Sequence, residues 1–188
     1  MKKRVVIIGN SGSGKSHLAC LLGAKFQLPV VQLDSIFWLP GGFNEKRSTL
    51  EVEKLIEVQR SSSEWIVEGV FGELAGRFLD YADLMIWLDL PWSECEASLH
   101  ARGSESSKQR DPIEAKESFR KLLDWASAYW TRTNARSHLG HMKLFDRFEG
   151  AKFRFEQRSD VDAFLEETQR QLNQAVQSTA ASPRPLTL

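Results

Sequence analysis

The sequence predicts an α/β domain in three layers, with a parallel five-stranded sheet and helices on both faces. Two observations carry this. Five short apolar runs (Val5–Ile8, Val30–Leu33, Trp65–Val67, Leu84–Leu88 and Lys152–Phe155) alternate with amphipathic segments. Strands that alternate with helices imply right-handed crossovers, and so a parallel sheet. The first four runs are almost continuously apolar, as in strands covered on both faces. The fifth alternates Phe153 and Phe155 with charge, which suits an edge strand.

The segments between the runs follow helical spacing. Leu18, Leu21, Leu22 and Phe26 share one face, and so do Val52, Leu55, Ile56 and Gln59. Ser48 and Glu51 stand three apart before the second of these, the pattern of a capping box. Phe119, Leu122, Leu123, Ala126 and Trp130 form a long stripe, with Trp125 and Trp130 expected in the core. Leu139, Met142, Phe145 and Phe148 indicate a weaker helix before the last run. Val161, Phe164, Leu165, Thr168 and Leu172 form another stripe, for which Ser159 or Asp160 is the expected cap. The domain is expected over residues 1–177. The polar, aromatic-free stretch Arg102–Arg110 reads as a mobile loop, and residues 178–188 as a disordered tail.

Composition narrows the function classes. Among 188 residues, 25 Lys+Arg balance 25 Asp+Glu, and 41% are hydrophobic. A normal apolar fraction with zero net charge excludes a wholly disordered chain. It also counts against a dedicated nucleic-acid binder, which carries a basic excess. Two cysteines, Cys20 and Cys95, are too few for a disulfide scaffold and are expected buried in a reducing cytoplasm. The apolar run behind Met1-Lys2-Lys3-Arg4 is too short for a signal peptide, and no run approaches a membrane span, so a cytoplasmic protein is expected.

The strongest motif is Gly9-Asn10-Ser11-Gly12-Ser13-Gly14-Lys15-Ser16, which satisfies G-x-x-x-x-G-K-[ST]. Its glycines let successive N–H groups turn toward phosphate oxygens. Lys15 would reach the β- and γ-phosphates, and the Ser16 hydroxyl would ligate Mg²⁺. The expected helix from Gly14 adds its positive end. The motif follows a predicted strand and opens a predicted helix, the context a phosphate-binding loop requires. A dinucleotide fingerprint starting at Gly12 fails, because His17 stands where its third glycine would be. His17 also follows the metal-ligand position, where Thr is frequent. Its ring N–H could serve the α-phosphate, or the side chain packs at the helix start. There is no N-K-x-D of GTPases and no L-S-G-G-Q of transporter ATPases.

Together with this loop, four further stretches carry a family resemblance: Val31-Gln32-Leu33-Asp34 with Phe37-Trp38, Trp65-Ile66-Val67-Glu68-Gly69, Arg77, and Trp87-Leu88-Asp89-Leu90-Pro91 with Arg102. Their order resembles the small nucleoside-monophosphate and shikimate-type kinases over residues 4 to 170. It is most similar to the adenylate-kinase-like family termed DNA topology modulation protein, FlaR-like. The resemblance implies a P-loop NTPase fold, sheet order 2-3-1-4-5, ligands at the carboxyl ends of the strands, and a short lid at 102–111. It also implies roles. Asp34, at the end of the second strand, would face the acceptor. Glu68 would hold Mg²⁺ together with Ser16, and Arg77 would bind the acceptor phosphate. Arg102 and Arg110 would present charge from the lid, with Arg132 beside them. Asp89 is expected as a cap for the following helix. Phe37 and Trp38, with Gly41-Gly42-Phe43, would stack an acceptor or form core. His100, His138 and His141 show no ligand spacing with cysteine or acidic partners, so no zinc site is expected.

The implied activity is a Mg·ATP-dependent phosphotransferase acting on a nucleoside, nucleoside monophosphate or other small alcohol. Adenylate kinase itself fits less well, because Glu68-Gly69-Val70-Phe71-Gly72 replaces its Asp-Gly-Phe-Pro-Arg run. The alternative from another class is a nucleotide-dependent binding module, or a modulator of DNA topology with little turnover.

Overall fold

The computed structural model describes residues 3–40, 45–103 and 112–180. Five parallel strands form one sheet: β1 (Arg4–Gly9), β2 (Val30–Gln32), β3 (Trp65–Gly69), β4 (Leu84–Leu88) and β5 (Ala151–Phe155). Their order is β2-β3-β1-β4-β5, as expected. The helices are α1 (Lys15–Phe26), α2 (Leu33–Phe37), α3 (Thr49–Ser61), α4 (Gly72–Ala75), α5 (Trp92–Arg102), α6 (Pro112–Ser127), α7 (His138–Arg147) and α8 (Arg158–Ala180). Short 3₁₀ turns occupy Leu79–Tyr81 and Ala128–Trp130.

The apolar runs are continuous because the central strands are covered twice. Val6, Ile8, Trp65, Val67, Met85 and Trp87 pack on one face, with Ile36, Ile56, Leu74 and Phe148. Val5, Ile7, Ile66, Ile86 and Leu88 pack on the other, with Leu18, Leu22 and Val161. Alternate residues of one strand therefore serve two cores. Each of the larger buried side chains adds about 1.5–3 kcal/mol of burial. Arg4 ties the sheet's lower corner by donating from Nε and Nη2 to the Asp83 carboxylate, at 3.2 and 2.9 Å.

Several expectations change here. β2 is not covered on both faces. It is a three-residue edge strand paired only to β3, and Val30 is 39% exposed. Asp34 does not end that strand but lies in the first turn of α2. Trp130 is not core: it is 44% exposed and stacks on His138 at 3.9 Å. Trp125 is partly buried against the first core. Ser159 and Asp160 do not cap α8 but fall inside its first turn, because the helix starts at Arg158. The capping box forms as read, with Glu51 N–H donating to Ser48 Oγ and Ser48 N–H to Glu51 Oε2. The tail expected from residue 178 begins inside α8, and residues 181–188 lie outside the described residues.

Cys95 is buried as expected, and burial pushes its thiol up to about 11. Cys20 is exposed on α1, contrary to expectation. A maleimide should therefore label one thiol, Cys20, in the folded protein and the second only in urea, as counted by mass spectrometry.

Lys152 shows how β5 holds α7 in place. Its ammonium donates to the carbonyls of Phe145 at 2.7 Å and Phe148 at 2.8 Å. These are the carbonyls a helix end leaves without partners. Lys152→Met removes both the donors and the favourable charge at that end. It should lower stability by about 1–2 kcal/mol, read as a lower urea midpoint at unchanged slope.

Among the described residues, no helix is long and apolar enough to cross a membrane.

Candidate functional site

The site begins where β1 ends. Gly9 leads into a turn in which Ser13 N–H donates to Asn10 O at 3.2 Å. Two glycines make the turn possible. Gly12 has φ 80°, and a Cβ there would lie 2.3 Å from Cys95 O, so α5 can press on the loop. Gly14 has φ 92° and caps α1, whose first bond runs from Leu18 N–H to Gly14 O. Both conformations disfavour any side chain. Asn10 is buried and fastens the loop twice. Its Oδ1 accepts from Ser11 N–H at 2.8 Å, and its Nδ2 donates to Ala126 O at 3.0 Å. That second bond joins the loop to the end of α6. From α8, Arg158 donates to Ser13 O at 3.0 Å and to Ser98 Oγ at 3.3 Å.

Lys15 follows, only 8% exposed, donating from Nζ to Asn10 O at 2.7 Å. Burial lowers its affinity for a proton, Glu68 and Asp34 oppose that shift, and Arg102 adds to it. These influences place Glu68, Asp34 and Arg102 within electrostatic reach of one ammonium. Glu68 lies at the end of β3, beside β1, because Ile7 pairs with it in register. It is buried, and Oε1 accepts from the exposed Ser16 hydroxyl at 2.8 Å. A hydroxyl and a carboxylate side by side, both hard oxygen donors, suit Mg²⁺. Ser13 Oγ is buried without a partner among the described residues. His17 is exposed on the first turn of α1.

The sheet thus brings Gly9, Asn10, Ser11, Gly12, Ser13, Gly14, Lys15, Ser16, Asp34, Glu68 and Arg102 to one edge. Arg77 stands apart: its guanidinium makes a two-pronged pair with Glu53 of α3, with both contacts at 2.6 Å. Arg110 and Gly41-Gly42-Phe43 lie outside the described residues, as does the lid beyond Gly103. Arg132 stacks on Trp125 at 3.9 Å and donates to the carbonyls of Trp125 and Arg136, so it braces the chain after α6.

Asp89 is not a helix cap. Pro91 precedes α5, and no side chain caps that helix. The buried Asp89 carboxylate instead takes Arg154, with Nε at 2.9 Å, and His138 Nε2 at 3.2 Å. Parallel pairing of β4 and β5 brings Arg154 beside Trp87, two residues before Asp89. A second buried chain runs through His141. Its Nε2 faces Val70 O at 3.0 Å and its Nδ1 faces Tyr129 OH at 2.7 Å. Trp87 Nε1–H donates to Tyr129 OH at 3.2 Å.

On the β2 side, Phe37 packs edge-on to Trp38 at 4.7 Å and tilted to Phe71 at 4.6 Å. The Arg136 guanidinium lies over both phenylalanine rings, at 4.4 and 4.3 Å, and pairs with Glu73.

Comparison with known proteins adds family and fold. No family model matches the chain. Over 135 residues it is 30% identical to the uncharacterized protein YqaC of Bacillus subtilis strain 168, covering 69% of this chain and 74% of that one. The chain belongs to the YqaC family. That name assigns no reaction. Among solved structures, the YqaC-type chain is similar to shikimate kinase from Acinetobacter baumannii in complex with shikimate. The TM-score is 0.50, with 13% identity, 92% of this chain and 94% of that one. Deoxyadenosine kinase from M. mycoides with bound dATP superposes at TM-score 0.48 and 12% identity, over 90% and 99%. The shikimate kinase shares with this chain the three-layer α/β architecture, a parallel sheet with helices on both faces.

Sequence reading missed Arg136, Arg154 and Arg158. Arg136 sits between helices, and Arg154 and Arg158 flank the end of β5. None belongs to a motif, and their partners are far away along the chain.

Proposed function

We propose that this YqaC-family protein transfers the γ-phosphoryl group of Mg·ATP to the hydroxyl of a small acceptor. The observation that carries the reading is the pairing of Ser16 Oγ with Glu68 at 2.8 Å, beside the buried Lys15. Lys15 and the loop N–H groups hold the β- and γ-phosphates in place of the Asn10 carbonyl. Ser16 and Glu68 would hold Mg²⁺, which when bound neutralises phosphate charge. Asp34 faces the acceptor and takes its proton as the acceptor oxygen bonds to phosphorus and the bond to the ADP oxygen breaks. Arg102, with Arg110 from the lid, balances charge on the transferring group. Phe37 and Trp38, both only half-buried, offer apolar and stacking surface to the acceptor. The order of motifs keeps the FlaR-like kinases as the proposed subgroup, and a cytoplasmic setting suits an ATP-consuming enzyme.

A coupled ADP-release assay with nucleoside monophosphates, nucleosides, shikimate and gluconate tests this. Release should be stimulated by one acceptor class and lost in Lys15→Met. Turnover of ATP at the same rate with every acceptor and with none would overturn the transfer reading.

A further inference from the structure

A groove of about 400 Å³ lies between α4 and α7, sharing no residue with the phosphate-binding loop. α7 starts at the carboxyl edge of the sheet, where His138 meets Asp89, and descends to the amino edge, where β5 begins. Gly140, Lys143 and Arg147 follow one another at three and four residues, so they share the face of α7 that lines the groove. The floor is main chain. A Cβ on Gly72 would lie 2.0 Å from Ala135 O, and one on Gly140 2.5 Å from Asn134 O. A Cβ on Gly76 would meet Leu144 Cδ2 at 3.3 Å and Arg147 Nη2 at 3.6 Å. At Gly72 and Gly140 the close approach is backbone to backbone, which seats α4 and α7 against the chain at Asn134 and Ala135.

The walls are cationic. Arg77, Lys143 and Arg147 line the groove, and Glu73 is the one carboxylate among its lining residues. Glu73 is already paired with Arg136. Lys143 makes no hydrogen bond or ion pair among the described residues. Like charges one helical turn apart, as at Lys143 and Arg147, are unfavourable in themselves. Arg77 is already held by Glu53, so the free charge is that of Lys143 and Arg147, and an anion between these two would turn their repulsion into attraction. The size falls in the range of small-molecule sites, and guanidinium forks match phosphate oxygens. We propose that this groove is a second anion site, which takes a phosphate group, free or as the ester of a small molecule. It does not depend on the phosphotransferase reading.

Calorimetric titration of the full chain carrying Lys15→Met, which disables the loop, tests the site with two probes, inorganic phosphate and AMP. At least one should bind saturably. Tighter binding of AMP would identify an ester as the occupant, and tighter or equal binding of phosphate the free anion. Adding Lys143→Glu should weaken binding roughly tenfold or more, as loss of one charge-assisted contact does. Lys143→Gln should weaken it in the same direction. Lys54→Glu, an equal charge change on the exposed side of α3, should leave it unchanged. The proposal is overturned if neither probe binds, if the Lys143 variants bind as before, or if Lys54→Glu weakens binding equally. Retained binding with a failed acceptor assay would sink the transfer reading alone, and the reverse would sink the groove alone.

Discussion

Lys15→Met is expected to reduce phosphoryl transfer by roughly 10²–10³-fold while leaving the protein at least as stable as before. The two halves have one cause. Lys15 is buried, its ammonium meets a carbonyl rather than a carboxylate, and burial holds its proton affinity down. Glu68 and Asp34 offset that only from a distance, because Glu68 is taken up by Ser16. A buried charge without a full counter-charge costs folding free energy. Nucleotide phosphates would supply the missing charge, so in the proposed reading the lysine would serve binding and not folding. Methionine keeps the length and the apolar stem. The check is kcat with the best acceptor beside a urea midpoint. Full activity would remove Lys15 from the site, and a large fall in the midpoint would make it a structural residue.

The second large effect concerns acid. His141 is fully buried, and both ring nitrogens are engaged. Val70 O accepts only, so Nε2 must carry the proton and Nδ1 must accept from the Tyr129 hydroxyl. Tyr129 in turn accepts from Trp87. The chain of bonds is complete only with a neutral imidazole, and burial lowers its pKa to about 3. In the unfolded chain the value is about 6.5. Between those values the unfolded state binds a proton that the native state refuses. The stability this group contributes is complete above pH 6.5 and declines as pH falls toward 3. The slope approaches about 1.4 kcal/mol per unit, or about 2 kcal/mol between pH 6.5 and 5. Urea midpoints across that interval should fall in the native protein and fall less steeply in His141→Gln, whatever that variant's baseline. Equal slopes would show that His141 titrates normally. Tyr129→Phe removes the hydroxyl that serves both neighbours and should cost about 1–3 kcal/mol at pH 7.5.

What could be read in advance was what is encoded locally. β1, β3 and β4 stand out because burial on both faces demands unbroken apolar runs. The same logic overestimated the burial of β2: Val30 and Val31 read as covered on both faces, but at the sheet edge, where the expected order also puts the strand, Val30 stays 39% exposed. The Ser48–Glu51 box was legible because both bonds close within four residues. The turn of Gly9–Ser16 was legible because Gly12 and Gly14 answer to backbone conformations that few other residues adopt.

Local patterning was enough to specify the fold class, the turn of Gly9–Ser16 and the carboxylate of Glu68 on the neighbouring strand. Tertiary structure alone decided the partners of the charged side chains. Asp89 reached Arg154 across 65 residues of chain, Arg77 reached Glu53 across 24, and Arg158 reached Ser13 across 145. The physical reason is range. Periodicity and turn chemistry act over a few residues, whereas a guanidinium takes whichever acceptor the strand order brings beside it.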